Sequence, residues 1–107
     1  ILERRDIMFF RLHVIISSEN EKDEKLIKDL LYQIRPTLSI SPAREYAGLK
    51  DHSEFYATDD ITPDQVQPLL DQLNNDWDGA QDDCICYGFN TKMFHELVYY
   101  LGFTLFE

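Results

Sequence analysis

Apolar residues fall on alternate positions from Ile7 to Ser17. Met8, Phe10, Leu12, Val14 and Ile16 form one set, and Phe9, Arg11, His13, Ile15 and Ser17 form the mixed other. Successive strand side chains point to opposite faces, so this pattern predicts a strand with one wholly apolar face and one partly wet face. A strand this apolar belongs in the middle of its sheet, because at an edge it would invite aggregation.

The period then changes. Leu26, Ile27, Leu30, Leu31 and Ile34 recur at helical spacing, Ser18 with Glu21 has the pattern of a capping box, and Pro36 stops the run. This predicts a helix over residues 19–35. Residues 37–59 read as a hairpin: an extended stretch from Thr37 to Tyr46, made edge-like by Pro42, a turn at Gly48 to His52, and a strand from Ser53 to Thr58. Gly48 is the natural place for a positive φ in that turn. A second helix follows, with Thr62 as N-cap, Pro63 at its first position, Gln65 completing the box, and Val66, Leu69, Leu70 and Leu73 as the apolar stripe. Pro68 should bend or shorten it. Asn74-Asn75-Asp76 ends the helix, Trp77 to Asp83 reads as a loop, and Cys84 to Phe89 as a buried strand. Asn90 to Glu96 connects to a last strand over Leu97 to Phe106, apolar on both faces.

The order β-α-β-β-α-β, followed by one more strand, predicts an α/β (α+β) sandwich, ferredoxin-like with an additional C-terminal strand. In that arrangement the first strand lies beside the fourth, and both helices pack on one face. The other face stays open, with Phe9, Ile15, Tyr87, Tyr99, Tyr100 and Phe106 as candidates to line it. The chain reads as a single domain over 1–107, with residues 1–7 a candidate leader ahead of a start at Met8.

Charge sharpens this picture. Of the 107 residues, 20 are Asp or Glu against 10 Lys or Arg, a net charge of -10. Residues 1–50 are nearly balanced, whereas Asp51 to Asp83 holds ten acids and no Lys or Arg. Such a block repels nucleic acid and attracts basic partners. Six tyrosines in so short a chain suit a binding surface as well as a core. Cys84 and Cys86 make no disulfide framework and no complete zinc site; buried and reduced, they fit a cytoplasmic protein. No apolar run approaches a membrane span.

Candidate chemistry is sparse. Asn74, Asp76, Asp78 and Gly79 echo the start of a calcium-binding loop, but Ile85 stands where the bidentate glutamate is needed. His13, His52 and His95 show no metal-ligand or nucleophile spacing, no glycine-rich phosphate loop is present, and no metal or cofactor is expected. Paired carboxylates for acid–base work would need a cleft that loops this short hardly provide. What remains is a cluster of carboxylates around aromatics. Asp76, Asp78, Asp82 and Asp83 flank Trp77, and Asp59 and Asp60 open the second helix with Tyr56 nearby. Carboxylates of this kind can stand in for substrate phosphates on a basic enzyme, with Trp77 and Tyr56 as apolar anchors. The plain reading of Trp77 is a ring folded back onto the second helix.

The closing stretch Tyr87 to Glu107 (YGFNTKMFHELVYYLGFTLFE), with the Asp-Trp-Asp loop before it, resembles the tails of small acidic bacterial immunity proteins of contact-dependent growth inhibition and related polymorphic toxin systems. The resemblance is one of size, acidity and element order. It implies a cytoplasmic protein without catalytic residues that binds one cognate toxin domain, commonly a basic nuclease, and occludes its active site or substrate groove. The competing expectation is a ferredoxin-like regulatory or ligand-binding module that self-associates through its sheet.

Overall fold

A computed structural model describes residues 7–73, 75–87 and 92–106. Apart from Ile7, the candidate leader lies outside the described residues, as do Asn74 and part of the connector before the last strand. The elements in chain order are β1 (Met8–Ile16), α1 (Glu21–Ile34), β2 (Ser39–Ile40), β3 (Arg44–Glu45), β4 (Ser53–Ile61), α2 (Pro63–Leu73), β5 (Asp78–Ala80), β6 (Asp83–Tyr87) and β7 (Val98–Phe106). They make a mixed α+β protein with two helices and one antiparallel sheet of seven strands, ordered β2-β4-β1-β7-β6-β5, with β3 also paired to β4.

β1 is central, as its alternation requires. It lies antiparallel between β4 and β7, with Leu12 opposite Ala57 on one side and Phe103 on the other, and Val14 between Phe55 and Leu101. Phe10, Leu12, Val14 and Ile16 are buried under Ile27 and Leu31 of α1 and Val66, Leu69, Leu70 and Leu73 of α2. Each such side chain contributes about 1.5–3 kcal/mol by leaving water, so this face holds the fold together.

Several expectations need correction. The strand beside β1 is the last one, β7; the strand around Cys84 sits one place further out, so the order is not a simple ferredoxin pattern. The segment 77–83 is not all loop, since Asp78–Ala80 pairs with Asp83–Ile85 as a hairpin. Gly79 makes that hairpin possible: its φ is +123°, and a Cβ there would lie 2.5 Å from the Asp83 carbonyl oxygen. In the earlier hairpin the residue with positive φ is Asp51, at 62°, and not Gly48. Pro42 splits the expected edge strand into β2 and β3.

The first helix starts at Glu21, capped by Asn20, whose side-chain oxygen accepts from the Lys22 N–H at 2.8 Å. Ser18 instead accepts from the Asn20 N–H and donates to Asp23, so the expected box does not form. α2 continues through Pro68. At its start Gln65 reaches back to the Thr62 N–H at 3.4 Å, while the Thr62 hydroxyl donates to Asp64.

Cys84 and Cys86 are free thiols on the helix-covered face, both buried. Burial, helped by Asp83 and Asp82, pushes the Cys84 thiol up to about 11. Thiolate is the reactive form, so a disulfide reagent should leave both thiols untouched in the native protein and titrate two on unfolding. Fast native labelling, followed by absorbance, would mean that this side of the sheet opens readily.

Candidate functional site

Neither helix covers the second face of the sheet. The register assigns it Phe9, Arg11, His13 and Ile15 from β1, Glu54, Tyr56, Thr58 and Asp60 from β4, Tyr100, Gly102, Thr104 and Phe106 from β7, and Asp83, Ile85 and Tyr87 from β6. Asp78 and Ala80 extend it onto β5. The expected lining of Phe9, Ile15, Tyr87, Tyr100 and Phe106 is therefore here. Tyr99 sits at the irregularity where Ile15 pairs with Tyr100 and Ile16 with Val98, and its ring meets Tyr87 edge-on at 5.8 Å.

Aromatic rings organise the face. His13 stacks on Tyr56 at 4.6 Å and meets Tyr100 edge-on at 5.4 Å; Tyr87 closes on Tyr100 at 5.1 Å. Phe9 stacks on Phe106 at 4.8 Å although it is 44% exposed. The Arg11 guanidinium lies 5.3 Å from the Tyr56 centroid and 5.6 Å from that of Phe106, within cation–π range of both. Beneath these rings sits Glu54, only 8% exposed. One carboxylate oxygen is 2.7 Å from His13 Nε2, and the other accepts from Arg44 Nε at 3.2 Å. A buried carboxylate with both oxygens engaged holds His13 in place and, through it, the Tyr56 ring.

At one end the 46–52 turn lies beside the face and borders an open hollow of about 430 Å³. Tyr46, Tyr87, Tyr99, Tyr100, His13 and Ile15 line it, with Gly48 and Leu49 at the turn. Two glycines give its tyrosine rings room. A Cβ on Gly48 would come within 2.7 Å of the Tyr46 ring, and one on Gly102 within 2.7 Å of the Tyr100 hydroxyl. Each tyrosine thus lies back over a glycine two residues later, at Tyr46-Ala47-Gly48 and Tyr100-Leu101-Gly102. Burial pushes the Tyr100 hydroxyl up, and Tyr87 and the Asp83 carboxylate add to this, so the phenol stays neutral near pH 7.

The carboxylates expected to form one patch divide. Asp60, Asp78 and Asp83 belong to the open face by register, and Asp82 is in the β5–β6 turn beside it; all four are exposed. Asp59 points to the opposite side and is tied to Arg35 at 2.6 Å. The Asp76 carboxylate accepts from the Lys92 backbone N–H at 2.7 Å. Trp77 folds back against α2, its indole N–H donating to the Leu70 carbonyl at 3.1 Å. Tyr56 lies within the aromatic face. Tyr46, Glu54 and Arg44 were not singled out in the sequence, and His13 was weighed there only for metal or nucleophile chemistry; the repeated Tyr-x-Gly spacing and the alternation of Glu54, Tyr56, Thr58 and Asp60 were the signals available. Among the described residues, no three His, Cys, Asp or Glu side chains converge to hold a metal ion.

No helix of the described residues is long and apolar enough to cross a membrane. No protein-family model, curated protein or solved structure matches this chain.

Proposed function

We propose that this chain is a stoichiometric binding protein that neutralises a basic partner, a nuclease-type toxin domain, by laying the open sheet face over its active site or substrate groove. The observation that carries the reading is the composition of that face: tyrosine rings on a rigid sheet, with Asp60, Asp78, Asp82 and Asp83 at its margins. Aromatic anchors surrounded by like charge are suited to tight association with an opposite charge, the acids speeding encounter and the rings holding the complex. Asp59, Asp76 and Trp77, already engaged within the fold, carry less of this role than the sequence suggested. The protein acts without catalysis and in the cytoplasm, where its buried thiols stay reduced and where such a nuclease would do its damage.

The strand directions support a ferredoxin-like reading of the inner sheet. β1 and the β2–β3 edge run in the same direction with β4 between them, and β4 and β7 do so with β1 between them; we read this as two interleaved split βαβ units, with the β5–β6 hairpin inserted before the last strand.

Affinity capture from the source cell tests the function. The wild-type chain should retain a basic protein at low salt and release it as screening rises. Asp78→Lys with Asp83→Lys should lose it while keeping the native circular dichroism spectrum. Expression of the captured protein alone should arrest growth, and co-expression of the wild-type chain should relieve the arrest. Retention that ignores both salt and charge reversal, or relief that survives the double reversal, would overturn the reading. So would a stable homodimer in sedimentation that buries this face.

A further inference from the structure

Resting on the docking reading above, we propose that the hollow between Tyr46, Tyr87, Tyr99 and Tyr100 receives the ammonium or guanidinium head of a lysine or arginine side chain carried by the docked protein. Four observations converge on a cation. The walls are aromatic, and the face of a phenol ring carries the negative lobe of its quadrupole. No Lys or Arg lines the hollow among the described residues. The same sheet face already seats a guanidinium on its rings, that of Arg11 over Tyr56 and Phe106. The chain carries a net charge of -10, and Asp78 and Asp83 lie on the same sheet face as the hollow.

The geometry fits a side chain in both size and permanence. A volume of about 430 Å³ admits a charged head with its methylene stem and is too small for a folded element. Gly48 and Gly102 leave the room that the Tyr46 and Tyr100 rings occupy, since a methyl at either would press on the ring beside it. The hollow is present in the chain without a partner, and a site that keeps its shape spares the ordering cost of binding. Anionic ligands face both the phenol faces and the protein's charge, and are disfavoured by each.

The test uses the full chain and three small probes: Nα-acetyl-lysine N-methylamide, the arginine equivalent, and the norleucine equivalent, which keeps the stem and lacks the charge. Aromatic proton–carbon NMR of the tyrosines follows binding. The lysine and arginine probes should saturate shifts at Tyr46 and Tyr100 and bind about fivefold or more tighter than norleucine. Tyr46→Leu should bring that ratio close to one, and Tyr100→Phe, which keeps the ring, should preserve it. Equal binding of norleucine, or a ratio unchanged in Tyr46→Leu, would overturn the cation site. If the probes fail while salt-sensitive capture of a basic partner persists, the cation site falls and the docking reading stands. If the probes bind while capture ignores Asp78 and Asp83, the docking reading falls instead.

Discussion

Phe103→Ala should remove about 3–5 kcal/mol of stability, whereas Phe106→Ala, three residues on in the same strand, should remove less than about 1 kcal/mol. Both rings stack on a phenylalanine of β1: Phe103 on Phe10 at 5.5 Å, Phe106 on Phe9 at 4.8 Å. Ring–ring geometry alone would rank the Phe106 pair at least as high. The difference lies in which side of the sheet each ring occupies. Phe103 is 0% exposed and sits between Leu12 and Cys84 under the helices, so truncation leaves a cavity that a close-packed neighbourhood cannot fill. Phe106 is opposite Phe9, which is 44% exposed, and water can occupy the space it vacates. In a domain whose total stability is of the order of 5–15 kcal/mol, the first change brings the protein near its unfolding threshold and the second is hardly felt. Urea denaturation of the two variants measures the contrast. Equal losses would mean that the open face is as dry as the helix-covered one, and that it is a second core instead of a surface.

That sidedness was legible in the sequence, because a strand's period of two and a helix's period of 3.6 are local signals. Met8 to Ile16, Ile27 to Ile34 and Val66 to Leu73 declared their buried faces, and both helices pack where those faces demand, while Leu26, expected in the first helix's stripe, is 44% exposed at its edge. The partner of β1 was not legible from period. Cys84 to Phe89 and Leu97 to Phe106 are both apolar, and alternation does not tell which lies inside. Length does: β1, β4 and β7 each have 9 residues and pair along their whole extent, whereas β6 has 5 and pairs only with the middle of β7, Tyr100 to Thr104. A long strand apolar on both faces is the better neighbour for a long apolar strand. That comparison was available before any coordinates.

The site was legible in kind but not in place. Acidity between Asp51 and Asp83 is a property of the sequence, yet a strand sends successive side chains to opposite faces. Asp59 and Asp60 are neighbours in the chain and strangers in the fold, one engaged by α1 and one on the open face. Trp77 follows a different rule. The last carbonyls of a helix have no intrahelical partner, and an indole N–H four residues beyond α2 is well placed to satisfy one, at Leu70. The tyrosines needed tertiary structure to converge, since Tyr46, Tyr87 and Tyr100 come from three separate segments.

Asp59 turns this difference into an expected result. Asp59→Ala should cost about 2 kcal/mol, and Asp60→Ala within about 0.5 kcal/mol. The Asp59 carboxylate accepts from Arg35 Nε at 2.6 Å, from the Thr37 hydroxyl and from the Asp60 backbone N–H, and Arg35 also donates to the Asp60 carbonyl at 2.7 Å. It thereby fixes the end of α1 to the end of β4, and its loss leaves a half-buried guanidinium short of its main acceptor. Burial pushes this carboxyl up, but the hydrogen bonds from Thr37, Arg35 and Asp60 and the charge of Arg35 together outweigh it, and the net direction is down from 3.8. A carboxyl that releases its proton more readily in the folded chain than in the unfolded one adds stability above the ordinary value. That stability is lost as pH falls through the lower, folded value. Wild-type stability should therefore decline below about pH 4 more steeply than that of Asp59→Asn, which cannot titrate there. Superimposable acid limbs for the two proteins would place the Arg35–Asp59 pair among surface ion pairs of negligible worth, and a double-mutant cycle between the two residues would then close without a coupling term.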